Sequence, residues 1–151
     1  MIRRKAISPV IATVIIVAVT IAVAIAVAFW MTGIVGLFTA TERLEITSAF
    51  VQSTQSGWTI TMTVKNTGTT PTSIDYIVVN GVNLEDPACG GVTLSAGTLP
   101  LAINPGTDAN LAIDITSGGT CGATTFSAGV SIELKLHSTG GKEYPKLLVL
   151  P

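Results

Sequence analysis

The side chains able to do chemistry are few and scattered. The chain has 151 residues, one histidine (His137) and two cysteines, Cys89 and Cys121. Catalysis needs titratable groups clustered in a concave setting. Ile132, Leu134 and Leu136 alternate with Glu133, Lys135 and His137, which puts His137 on the polar face of a strand as a solvated imidazole. Asn83, Glu85 and Asp86 in "NLEDPA" offer oxygen ligands but fall short of a calcium loop. No Gly-rich phosphate loop, Ser-His-Asp order or Cys-His pair is visible. The expectation is no enzyme, no metal and no cofactor.

The cysteines sit among glycines, in "PACGG" and "GGTCGA". An even pair behind an N-terminal apolar segment suggests an exported domain with a Cys89–Cys121 disulfide. Two unpaired thiols are the other reading. A zinc site would need two further ligands, and the single histidine does not supply them.

What must position these residues is a chain of two unlike parts. Hydrophobic residues make up 48% and charged residues 11%, about half the usual charged share. The apolar excess lies in residues 7–41, between Arg3-Arg4-Lys5 and Glu42. The rest is polar and rich in threonine. Net charge is −1, with no basic patch, so nucleic-acid binding is not expected.

A secretory signal has an apolar region of about 7–15 residues, and this run continues far past Ala22-Val23-Ala24 and Ala26-Val27-Ala28, through Phe29, Trp30 and Phe38. A plain anchor needs about 20 residues. Ile7 to Thr41 as one helix would be roughly 50 Å long, well beyond a hydrocarbon core. Helix is still the expected state, because in lipid a lone strand leaves its backbone unpaired. Ser8 suits the N-cap and Pro9 the first helical position. Ala18, Ala22 and Ala26 recur every four residues, the small-xxx-small spacing of close helix packing, and Ala24 and Ala28 continue it. Gly33 and Gly36 permit a bend or a close neighbour. A helix apolar on all sides must be buried, and about 105 polar residues cannot wrap it. Self-association resolves this.

These residues carry a resemblance. "RRKA" followed by "ISPVIATVIIVAV" resembles the N-terminus of archaeal type IV pilins, where a short basic leader precedes an "SPVIA"-type opening of a hydrophobic helix. "VKNTGTTPTSIDYIVVNG" is similar to the "N-x-G" strand-turn-strand stretch of pilin and archaellin globular domains. The resemblance implies a leader, residues 1–6, cut by a prepilin peptidase with Lys5 and Ala6 before the cut and Ile7 after it. It implies a precursor held in the membrane, then a homo-oligomeric helical filament extruded by the pilus assembly machinery. Val10, Ile11, Ile15, Ala18, Ala22, Ala26, Phe29, Trp30 and Phe38 would line its core. Bacterial pilins commonly place Glu at the fifth mature position, where this chain has Ile11. Archaellins usually open their helix with glycines, which "ISPVIAT" lacks, so the resemblance leans towards an adhesion pilus at the cell surface. An archaellin-type motility filament and a membrane-anchored surface binding protein are the alternatives.

After Glu45 the period changes. Trp58, Ile60, Met62 and Val64 alternate with threonines and Lys65, and Leu111, Ile113 and Ile115 alternate likewise. Turn signals separate these runs, Asn80-Gly81 being a tight-hairpin candidate. In Ile74–Val79 the pattern sets Ile74, Tyr76 and Val78 on one face and Ile77 and Val79 on the other, predicting a second covered face, against the helix end, a neighbouring subunit or a loop. The expected fold is α+β: a hydrophobic helix over 7–45 and an all-β immunoglobulin-like sandwich over 46–151, the type IV pilin-like lollipop.

Overall fold

The computed structural model describes residues 8–151, with backbone alone over 37–39. The chain divides into two units, residues 1–40 and 41–151. In the first, helix α1 runs from Pro9 to Thr39, 31 residues and about 46 Å. Its apolar window, Pro9–Gly36, has the length and composition to cross a membrane, and none of it is buried.

The second unit is an antiparallel β-sandwich. Its strands are β1 (Leu44–Thr54), β2 (Gly57–Asn66), β3 (Thr72–Val79), β4 (Val82–Asn83), β5 (Val92–Ala96), β6 (Leu101–Ile103), β7 (Asp108–Thr116), β8 (Thr120–Cys121), β9 (Thr124–Thr125), β10 (Ser131–Ser138) and β11 (Glu143–Val149). One sheet has the order β1-β2-β7-β5. The other runs β11-β10-β3-β4, with β6 also on β3, and β8 and β9 form a small separate hairpin. The alternating runs supply the core: Trp58, Ile60, Met62 and Val64 of β2 lie beside Leu111, Ile113 and Ile115 of β7 in one sheet, and Ile132, Leu134 and Leu136 of β10 come from the other, all buried. Phe126 fills the interior from a loop. Asn80 (φ 48°) and Gly81 (φ 87°) form the β3–β4 turn, the left-handed pair a type I′ hairpin needs.

Two expectations are corrected. The helix ends at Thr39, not at residue 45, and β1 already starts at Leu44. The reason is that Thr41–Arg43 spend their backbone groups on the sandwich: the Arg43 carbonyl accepts from the N–H groups of Thr67 (2.8 Å) and Gly68 (3.1 Å), and the Thr41 carbonyl from Thr69 (2.8 Å). A helix cannot use those groups as well.

The second correction concerns β3. Its pairing with β10 slips between His137↔Tyr76 and Ser138↔Ile74, leaving Asp75 as an extra residue. Such a bulge reverses the alternation. Ile74 therefore turns inward with Ile77 and Val79, while Tyr76 and Val78 lie half-buried on the outer face. There the Tyr76 ring stacks on His137, with centroids 4.3 Å apart. His137 is thus half-buried against an aromatic ring rather than fully solvated.

Candidate assembly surface

The helix has to satisfy its own polar groups wherever it resides. Ser8 stands at the N-cap, but its side chain makes no capping bond. Its carbonyl accepts instead from the N–H groups of Ile11 (3.0 Å) and Ala12 (3.2 Å). Pro9 opens the first turn, where its missing N–H costs nothing. Thr13 donates to the Val10 carbonyl (2.8 Å). Thr20 donates to Val17 (2.8 Å) and Ile16 (3.0 Å), and Thr32 to Phe29 (3.0 Å) and Ala28 (3.1 Å). These three hydroxyls are therefore consumed within the helix and offer no penalty to lipid or to a packed neighbour.

Val10, Ile11 and Ile15 are exposed, as are Ala18, Ala22 and Ala26. Phe29 is 74% and Trp30 67% exposed. Side chains that large and that apolar are normally covered. Helix α1 continues unbroken through Gly33 and Gly36. A Cβ at either would meet no atom within 4 Å among the described residues. Lys5, Ala6 and Ile7 lie outside the described residues, as does the side chain of Phe38.

In the sandwich, Cys89 and Cys121 form a disulfide. Cys89 ends a 3₁₀ turn, Pro87–Cys89, and Asp86 caps that turn by accepting from the Ala88 N–H (2.8 Å). Asn83 accepts from the Glu85 N–H (3.0 Å). The oxygen-rich "NLED" stretch is thus a turn that delivers Cys89, and no cluster of metal-ligating side chains occurs among the described residues. The bridge closes a loop across a sequence separation of 32. Replacing both cysteines by serine is expected to lower sandwich stability by about 3 kcal/mol, read as a lower denaturant midpoint.

The "N-x-G" stretch forms a buried knot. Asn66 is 0% exposed. Its Nδ2 donates to the carbonyls of Thr70 (2.8 Å) and Ile103 (2.9 Å), and its Oδ1 accepts from the Gly68 N–H (2.9 Å). Its own carbonyl accepts from Gly106 (2.9 Å). One amide thus ties the β2–β3 turn to β6 and to the turn before β7. Gly68 is required by close approach: a Cβ there would strike the backbone of Thr41 and Arg43. Residue type alone did not disclose this role; the signal was a polar residue ending a strictly alternating strand.

Lys135 bridges Glu133 (3.8 Å) and Glu143 (3.9 Å) on the outer face of β10. Exposed pairs of this kind contribute little. The distinctive surface among the described residues is the helix.

No protein-family model matches the sequence, and no curated protein matches it. Solved structures do resemble it. The archaeal flagellum of Methanospirillum hungatei strain JF1 aligns at 20% identity and TM-score 0.50, over 93% of this chain and 88% of that one. The apo PCuAC domain from PmoF1 aligns at 12% identity and TM-score 0.48, over 74% and 98%. The archaellum periplasmic stator protein FlaG from Sulfolobus acidocaldarius aligns at 15% and TM-score 0.44, over 72% and 100%. At such identities the likeness is one of fold. The chain has the architecture of the archaeal flagellum subunit: one N-terminal apolar helix followed by an antiparallel β-sandwich.

Proposed function

We propose that this chain is a structural subunit of an extracellular archaeal type IV pilus of the adhesion kind, polymerising through α1. The observation that carries the reading is a 31-residue helix with no charged residue, none of it buried over Pro9–Gly36. Such a surface is stable in lipid or among like helices, and unstable in water. The precursor would wait in the cytoplasmic membrane with the sandwich outside. A prepilin peptidase would hydrolyse the Ala6–Ile7 amide, and the assembly machinery would then move Ile7–Pro151 into a helical array.

Transfer from lipid to a protein core gains little hydrophobic energy, because both are apolar. Close packing of Ala18, Ala22, Ala26 and the β-branched residues between them must hold the array. Val10, Ile11, Ile15, Phe29, Trp30 and Phe38 would fill its core. Gly33 and Gly36 would serve a bend or a close neighbour.

Shearing cells and imaging the supernatant tests this. Thin filaments should contain this chain as their main protein, and its N-terminal sequence should start at Ile7. A chain that stays wholly in the membrane fraction as a monomer would instead be an anchored surface binding protein. A start other than Ile7 would move the assigned cut. The archaellin alternative fits the same fold equally well. A deletion strain separates the two: loss of attachment with swimming retained supports the pilus, and loss of swimming supports the archaellin.

A further inference from the structure

The two tryptophans satisfy their indole N–H groups differently. Trp58 Nε1 donates to the Pro151 carbonyl (2.8 Å) within the sandwich unit. Trp30, on α1, is 67% exposed, and its indole N–H meets no acceptor among the described residues. It is the exception on that helix. Thr13, Thr20 and Thr32 carry the only other side-chain N or O atoms between Pro9 and Gly36, and each donates to a carbonyl of its own helix. An indole donor left unpaired in an apolar medium is costly. Tryptophan therefore favours a boundary where its ring meets apolar matter and its N–H meets an acceptor.

The position of Trp30 along α1 points the same way. Arg3, Arg4 and Lys5 precede the helix, and no charge follows until Glu42. A basic cluster beside an apolar span holds that end at the cytoplasmic interface. From Pro9 to Trp30 the helix axis advances about 32 Å, against about 30 Å for a hydrocarbon core. The whole helix, about 46 Å long, does not fit. Immersing it would need a tilt of about 50°, beyond the range of about 0–40° that membrane helices adopt. One end must stand outside, and the charges fix which.

We propose that Trp30 is the outer-interface anchor of the membrane-held precursor, its indole N–H donating to headgroup oxygens at the lipid–water boundary. Pro9–Phe29 then fills the hydrocarbon. Met31–Val35 lies in the outer headgroup layer, which adds about 5–8 Å on that side, and the last turn of α1 stands above it. Phe29, 74% exposed, brings a second ring to the same level. Ala18, Ala22 and Ala26 are all covered by lipid before assembly, whereas Gly33 and Gly36 lie beyond the hydrocarbon. This anchor presupposes the membrane-held precursor proposed above and adds where along α1 the membrane ends.

Tryptophan fluorescence of the full-length chain tests this, in phosphatidylcholine vesicles at low protein-to-lipid ratio. The lipids carry bromine at either a shallow or a deep acyl-chain position, and bromine quenches only rings in contact with it. Trp58 is buried in the sandwich, and the Trp30→Phe chain supplies its signal for subtraction. Shallow bromine should quench Trp30 about twofold or more as strongly as deep bromine. Two relocated rings, each introduced into the Trp30→Phe chain, bracket it. Ile25→Trp, about 8 Å deeper, should reverse the order. Val35→Trp, about 8 Å further out, should be quenched weakly by both lipids and strongly by aqueous iodide. Stronger quenching of Trp30 by deep bromine overturns the anchor and leaves the membrane-held precursor standing. One shallow profile shared by positions 25, 30 and 35 describes a helix lying along the surface, and overturns the anchor together with the spanning precursor. Filament yield after shearing is scored separately: absent filaments with the expected quenching would overturn only the pilus reading.

Discussion

Ala22→Leu is expected to leave the protein in the membrane fraction and to reduce sheared filaments by about tenfold or more. Leucine favours membrane insertion by about 0.3–0.6 kcal/mol at a helix centre, so the lipid-held precursor is not harmed. The filament is different. Ala22 lies between Ala18 and Ala26 on an exposed helix, with mostly β-branched residues between them. Small residues at this spacing let two backbones approach closely, and an added isobutyl group holds them apart. Overpacking of this kind costs about 1–3 kcal/mol per site, and each tenfold change in an equilibrium needs about 1.4 kcal/mol. The misfit recurs at every subunit. Val23→Leu, nearly conserving volume, should assemble close to normally. Both amounts can be read by immunoblot of the sheared and membrane fractions. Wild-type filament yield from Ala22→Leu would remove Ala22 from the proposed core contact.

Asn66→Asp is expected to destabilise the sandwich by about 4 kcal/mol or more, the largest effect of any single substitution argued for this domain. The carboxamide donates twice, to Thr70 and Ile103, and accepts once, from Gly68. A carboxylate can keep only the last of these bonds. Its oxygens would then face two carbonyl oxygens at a site with no exposure, a buried charge without a partner. Asn66→Ala leaves the same groups unpaired without adding charge, and should cost less. Thermal unfolding of the full chain, followed through the buried Trp58, reads both. Several kcal/mol at this domain size correspond to a fall in Tm of well over about 10 °C. If Asn66→Asp melts with the native chain, the knot does not anchor the turns.

These two predictions stand on different kinds of legibility. The expectation for Ala22 rests on sequence alone, because the four-residue spacing of small residues in an uncharged run has meaning before any fold is known. That for Asn66 does not. Its motif was visible, but its three partners come from 70, 103 and 68, and the Ile103 carbonyl reaches it only through sheet pairing. Position 75 shows the same limit. Strict alternation assigned Ile74 to the face of Tyr76, and one extra residue in the ladder moved it inward. A local pattern cannot report a bulge whose cause is register against a distant strand.

By itself the sequence determined the two-part plan: an uncharged helix too long and too apolar to stand in water, then a polar sandwich with a cysteine pair, its core strands marked by period-two alternation at Trp58–Val64, Leu111–Ile115 and Ile132–Leu136. Those features follow from composition and local periodicity, which each residue carries wherever it lies. Tertiary structure alone decided where the helix stops, because the carbonyls of Thr41 and Arg43 are claimed by the N–H groups of Thr67, Gly68 and Thr69. It alone turned Ile74 inward. Each of these depends on which backbone groups find partners across the fold, and pairing between remote strands is not written in any local stretch of chain.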